Sequence, residues 1–141
     1  MIILAVDLGD ARTGLACCDG GELLASPVGT IQSGYIEHIL EQTAQAARQH
    51  NAQRIIVGLP LNMDGSKGPR AALCEEFAQR LAQQVEIPVK LWDERSTTVT
   101  AIGYLNKTNT RGKKRKAAVD ALAASIILES YLNYRKNHPD A

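Results

Sequence analysis

Three acidic positions and one basic run stand out in this chain as groups that could do chemistry. The first acid is Asp7, in VDLGDARTG (residues 6–14), at the end of an apolar strand-like run. Strand alternation puts it on the face of Ile3 and Ala5, where a carboxylate needs a cation, a donor cluster or a metal as partner. Gly9 leaves the backbone there open to close approach by a phosphate or an ion, and equally suits an ordinary Asp-x-Gly turn. The second is the acid pair in LWDERSTT (91–98). If the strand stays regular, Lys90, Trp92 and Glu94 share one face and Val89, Leu91 and Asp93 the other, so only one acid of the pair can serve a given side. Periodicity does not say which. Ser96, Thr97 or Thr98 can cap a following helix without any ligand.

The third is Asp120, in KKRKAAVDALAASIILESYL (113–132). At 100° per residue it falls among Ala117, Ala123, Ala124 and Ile127, inside an apolar stripe where unpaired acids are rare. The alanines allow that helix to lie close to a sheet. Lys113 to Lys116 sit at its start, where the macrodipole disfavours cations by ~0.3–1 kcal/mol each. A polyanionic partner would account for such a placement through phosphate contacts. GLPLNMDGSKGPR (58–70) looks like a phosphate loop but is not a Walker A motif. Six residues separate Gly58 from Gly65 where four are required, and Ser66-Lys67 is reversed. Asn62, Ser66, Lys67 and Arg70 before a helix start could still meet a phosphate oxygen, or simply form a connection.

The elements that must position these groups follow from periodicity. IILAVDL (2–8) is a near-continuous apolar run suited to a central strand covered on both faces. TGLACCD (13–19) and LLASPVGTI (23–31) read as a hairpin linked by Gly20-Gly21. A helix is predicted over 35–49, a buried strand over 54–59, a helix over 70–84 opened by Pro69, and a third buried strand over 87–92. A short helix should follow over about 97–105. The polar, basic stretch 107–116 is expected to be mobile, ahead of a last helix over about 116–134. The order β-β-β-α-β-α-β-α-α implies an α/β domain with a mixed sheet and helices on both faces, spanning 1–141 as one unit.

Composition adds limits. With 141 residues, 45% hydrophobic and 22% charged, the chain is ordinary for a globular domain, and a net charge of +1 selects no partner class. No apolar run approaches 18 residues, and MIILAVDLGD lacks the basic flank of a secretory signal, so a cytoplasmic protein is expected. Cys17, Cys18 and Cys74 form no CxxC pair and suit buried thiols in a reducing compartment. His38, His50 and His138 show no metal spacing.

VDLGDARTG, IIVGLPLNMDGSKGPRA, LWDERSTT and VDALAASIILESYL, in this order and spacing, resemble the YqgF/RuvX family of Holliday-junction-resolvase-like proteins and pre-16S rRNA nucleases. The resemblance covers nearly the whole chain. It implies a ribonuclease-H-like fold, a five-stranded mixed sheet in the order 3-2-1-4-5 flanked by helices. It also implies that Asp7, Glu94 and Asp120 gather as catalytic and metal-holding acids for one or two Mg²⁺ or Mn²⁺ ions, which hard oxygen ligands suit. Arg95, Lys67, Arg70 and the cluster Arg111, Lys113, Lys114, Arg115 and Lys116 would then hold the backbone of structured RNA or branched DNA.

The implied activity is a metal-dependent endonuclease in the 5′ maturation of precursor 16S rRNA, with ribosomal precursor particles as possible partners. A DNA-junction nuclease is the alternative, and neither a monomer nor a homodimer is excluded. Two departures matter. Resolvases and ribonucleases H carry an acid on the fourth strand, where this chain has Val57-Gly58-Leu59. Resolvases also have a second helical acid, where this chain has Ala123. A non-catalytic RNA- or ribosome-binding factor would use the same basic surface. A sugar-kinase-like nucleotide binder also opens on a D-x-G strand but needs two such domains.

Overall fold

The computed structural model describes residues 1–93 and 112–141, with side chains left undescribed over 112–121. Five strands form one sheet: β1 (Ile3–Asp7), β2 (Arg12–Cys18), β3 (Ala25–Gln32), β4 (Arg54–Leu59) and β5 (Val89–Asp93). Their order is β3-β2-β1-β4-β5. β2 runs antiparallel to β1 and β3, whereas β4 and β5 run parallel to β1. This is the mixed sheet implied by the sequence. β1 is central, and Ile3, Leu4, Ala5 and Val6 are wholly buried, as an apolar run covered on both faces must be.

Helices α1 (Ile36–Gln49) and α2 (Pro69–Gln84) cover one face. Their Ile39, Leu40, Cys74, Phe77 and Leu81 pack on Leu4, Val6, Ile55 and Val57. Phe77 is fully buried, which contributes about 3 kcal/mol of hydrophobic stabilisation. Asn51, in the left-handed region at φ 56°, follows the end of α1. Pro69 opens α2, where its missing N–H costs nothing.

The other face is covered by α3 (Gly112–Asn137), through Ala124, Ile127, Leu128 and Tyr131 against Ile3, Ala5, Ala16 and Ile56. Ala124 is fully buried, as the expected close approach of an alanine-lined helix requires. α3 begins earlier than periodicity suggested. Residues 112–116 of the stretch expected to be mobile are its first turn, because Lys and Arg are good helix formers and need no apolar face there. The helix expected over about 97–105 and residues 107–111 lie outside the described residues.

The hairpin also differs in detail. The left-handed residue of its turn is Glu22 (φ 57°) rather than either glycine, and the Asp19 side chain accepts the Leu23 N–H at 2.8 Å. Leu23 and Leu24 therefore sit in the turn, exposed, and β3 starts at Ala25. A bulge opposite Leu15 and Ala16, together with Pro27, blunts this edge strand against pairing with another chain.

Candidate active site at the end of strand β1

The register fixes which residues surround Asp7. Asp7 pairs with Gly14 on β2, Val6 with Val57 on β4, and Gly58 with Trp92 on β5. One row of the sheet thus reads Gly14, Asp7, Gly58, Trp92. Alternation places this row on the α3 face, because Ala5, Ala16 and Ile56, one pleat away, belong to the α3 core. Asp7 is half-buried there between two glycines, with no Cβ on either neighbouring strand to crowd its carboxylate. β4 contributes Gly58 to this row and so brings no second carboxylate to it.

Beyond Asp7 the chain turns sharply. A Cβ on Gly9 would lie 1.9 Å from the Arg12 carbonyl oxygen, so only glycine fits. The close approach that Gly9 permits is thus made by the protein's own backbone, which favours the turn-forming reading of this glycine. The Gly9 N–H points to the hydroxyl of the fully buried Thr13 at 3.5 Å. From the other side, the Arg70 guanidinium donates to the Leu8 carbonyl and to the Asp10 carboxylate. Arg70 stands in the first turn of α2, so this side chain ties the end of β1 to the helix start. A cleft of about 230 Å³ lies behind the turn, lined by Leu8, Gly9, Asp10, Ile36, Arg70 and Phe77. It opens on the α1/α2 side, away from the Asp7 carboxylate.

β5 supplies the second acid-bearing stretch. Leu59 and Asp93 are register partners, and Leu59 packs into the α1/α2 core, so Asp93 faces that side. Trp92 faces α3 with Asp7. Its indole lies 5.2 Å, edge-on, from Tyr131 and 5.2 Å from Tyr134, and donates to the Ser130 hydroxyl at 3.4 Å. Such pairs contribute ~0.5–1.5 kcal/mol beyond the area they bury. They also fix the last residues of β5 against the helix that carries Asp120. Asp120 itself lies on α3 seven residues before the buried Ile127, and its side chain is among those not described. Glu94, Arg95 and Arg111 lie outside the described residues, and the side chains of Lys113, Lys114, Arg115 and Lys116 are likewise undescribed.

The remaining expectations can be placed. Lys67 pairs with Glu75 at 2.8 Å on the surface. Asn62, Asp64 and Ser66 bond one another: Ser66 Oγ donates to Asp64 at 2.6 Å and Asn62 Nδ2 to Ser66 Oγ at 2.9 Å. Burial holds the thiols of Cys17 and Cys18 above their ordinary range, which makes them poor nucleophiles. All three cysteines are free thiols. His138 stacks on Tyr134 at 4.0 Å. Among the described residues, no three His, Cys, Asp or Glu side chains gather as a metal cluster, and no helix is long and apolar enough to cross a membrane. One cation escaped the sequence reading. Arg12 shares the α3 face with Gly14 and Ala16, one pleat beyond the Asp7 row. Alternation through TGLACC, extended one residue pair backward, was the signal for it.

Known proteins give the same picture. Residues 1–134 match the family model described as RuvX, Holliday junction resolvase. A Halothermothrix orenii protein named "Putative pre-16S rRNA nuclease" is 42% identical over 135 residues, covering 96% of each chain. A Chloroflexus aurantiacus protein of the same name is 38% identical over 139 residues, covering 99% of this chain and 91% of its own. Among solved structures, RuvC of Thermus thermophilus in complex with Holliday junction substrate superposes with a TM-score of 0.60 at 12% identity, over 96% of each chain. The fowlpox virus resolvase bound to Holliday junction DNA gives 0.57 at 16% identity, over 95% of this chain and 98% of its own. At such identities the structural matches establish the ribonuclease-H-like fold alone. Both sequence relatives are matched over more than nine-tenths of their own length, and with the family model spanning residues 1–134 the chain belongs to the RuvX family, a family of nucleases.

Proposed function

We propose that this nuclease hydrolyses phosphodiester bonds in a metal-dependent manner, with 5′ maturation of precursor 16S rRNA as its role. The observation that carries the proposal is the position of Asp7, half-buried between Gly14 and Gly58 at the carboxyl end of the central strand. Hard carboxylate oxygens, flanked on both neighbouring strands by residues without a side chain, suit Mg²⁺ or Mn²⁺. Asp7, Glu94 and Asp120 would hold the ion, which when bound neutralises charge on the phosphate and lowers the pKa of water. The choice of Glu94 over Asp93 is supported by the faces of β5. Trp92 shares the Asp7 side and Asp93 the opposite one, so one further residue of regular strand would put Glu94 on the Asp7 side of the sheet.

The protein's own residues do the rest. The row of glycines admits the scissile phosphate, and the Trp92 contacts hold the acid-bearing strand end against α3. Lys67, Arg95, Arg111 and Lys113 to Lys116 would contact flanking phosphates. The relatives' names support rRNA as substrate, whereas the fold likeness to a resolvase on its junction keeps a four-way DNA junction in view.

Cleavage of a precursor 16S rRNA fragment and of a four-way DNA junction, each with Mg²⁺, Mn²⁺ or EDTA, tests the proposal. Wild type should cut the RNA with either metal and fail with EDTA, and Asp7→Asn, Glu94→Gln and Asp120→Asn should each abolish cutting. Preference for the junction would reassign the substrate. Binding without cleavage under every condition would leave a non-catalytic RNA-binding factor.

A further inference from the structure

We infer that Arg70 is a positioning residue for the catalytic strand end, acting on the turn after Asp7 rather than on the nucleic acid. The inference rests on the nuclease reading of Asp7. It departs from the phosphate-contacting role that charge and loop position suggest for Arg70.

β1 loses its ladder just where the site begins. Its last partner on β2 is Gly14, opposite Asp7, and its last partner on β4 is Val57, opposite Val6. The Leu8 carbonyl is the first beyond both ladders, on a residue that is itself buried. A carbonyl there needs a donor, and Arg70 Nη2 supplies one. The second guanidinium nitrogen, Nη1, goes to Asp10, two residues further along the same turn. Two nitrogens of one planar group therefore bracket Gly9, whose inner side is closed by the Arg12 carbonyl.

A guanidinium suits this job because its donors diverge in a fixed plane, which an ammonium cannot reproduce. Arg70 is carried by the first turn of α2, and α2 is anchored by the fully buried Ala71, Cys74 and Phe77. The turn is thereby referred to the α1/α2 core, and Asp7, one peptide away from Leu8, inherits that reference. The Asp7 carboxylate leaves the opposite face of the strand. Arg70 thus acts from behind it and acts through the backbone.

The test uses the full chain with Arg70→Gln, Arg70→Lys and Asp10→Asn. Asp10 is 92% exposed at its side chain, so its substitution removes half the clamp without risk to folding. Three readouts are taken. The first is kcat and KM on the precursor rRNA fragment with Mn²⁺. The second is the salt dependence of binding to the same RNA in EDTA. The third is amide exchange at residues 9–11 against residues 4–6.

Arg70→Gln should lower kcat by about 10–100-fold, the range for groups that orient metal ligands. KM and the salt slope should stay at wild-type values, and exchange at 9–11 should quicken while that at 4–6 does not. Asp10→Asn should do the same to a smaller extent, and Arg70→Lys should restore little. A raised KM with a salt slope shallower by about 0.7–0.9, restored by lysine, would make Arg70 a phosphate contact and overturn the inference. Unchanged exchange at 9–11 would overturn it as well. If the wild type cuts no nucleic acid, the nuclease reading fails, while exchange and salt slope still decide the role of Arg70.

Discussion

Two loops leave the carboxyl edge of the sheet from neighbouring parallel strands, the one after β1 and the one after β4. Both are rich in glycine and charge, and in sequence each reads as a possible phosphate cradle. They are held in different ways. The turn after β1 is fixed from outside itself: the Arg12 carbonyl fills the side of Gly9, buried Thr13 stands beneath, and Arg70 reaches across from α2. Among the described residues, the hydrogen bonds of the loop after β4 run among Asn62, Asp64 and Ser66, with Lys67 turned to Glu75 and Met63 exposed. Preorganisation of a catalytic ligand requires supports on rigid elements. The first loop has them, and it is the one that follows Asp7.

The largest expected effect comes from Asp7→Asn, which removes a charge from the β1 end while preserving shape. Cleavage should fall by at least about 100-fold, since loss of a ligand exceeds the loss of groups that merely orient one. Asp64→Asn in the other loop should leave the rate within about twofold of wild type, as expected for an exposed residue that is not among the proposed metal ligands. Comparable losses from both would remove the distinction between the loops.

Gly9→Ala comes next. Its Cβ would meet backbone rather than a flexible side chain, so the turn must open, at a cost of about 2–3 kcal/mol. Gly68→Ala, at the start of α2, meets the Asn62 side chain at 3.7 Å, an ordinary contact. It should cost less than about 1 kcal/mol, the scale of a poorer N-cap residue. Denaturant midpoints of the two variants measure the gap directly.

Ser66→Ala should also fall below Gly9→Ala. It removes a hydroxyl that donates to Asp64 in an exposed loop, worth about 0.5–1.5 kcal/mol at most. Cleavage by this variant should match wild type unless the loop touches substrate through Ser66.

Much of this arrangement was legible in residue order, for reasons that differ from place to place. The near-continuous apolar run IILAV suited a central strand, which β1 is, and alternation then assigned Asp7 to the face of Ala5, which packs against α3. Parity in KLWDE separated Asp93 from its neighbours, and the Trp92 contacts show which side is which. Long-range partners were not legible. Nothing within VDLGDARTG signals that an arginine 60 positions later will hold its turn, because a side chain that reaches between elements leaves no local period. The start of α3 was missed for a related reason: a helix that begins on charged residues shows no apolar stripe until its face meets the sheet. The gathering of Glu94 and Asp120 with Asp7 remains the family's implication and the proposal's test.

The smallest effect sharpens the comparison from the far end of the sheet. There the β2–β3 turn, like the turn after β1, is held by an arginine from a distant helix. Arg135 donates through Nε to Glu22 at 2.6 Å. The Arg135 hydrogen bond holds the Glu22 carboxyl below its ordinary value of 4.5, opposed by partial burial and aided by the Met1 ammonium at 3.0 Å. A depressed carboxyl pKa means that the folded state binds this proton less readily than the unfolded chain. Its stabilisation is therefore present above about pH 4.5, where unfolded glutamate is ionised, and fades as pH falls through the lower folded value. Glu22→Gln should cost about 1 kcal/mol at neutral pH, a partly exposed pair being screened by solvent. In acid below the folded value, wild type and variant should converge. Cleavage measured at neutral pH should not change, because Glu22 lies at the opposite edge of the sheet from Asp7. A loss of activity with Glu22→Gln would mean that clamps of this type act through global stability. The specific coupling of Arg70 to the Asp7 turn would then need to be judged on amide exchange alone.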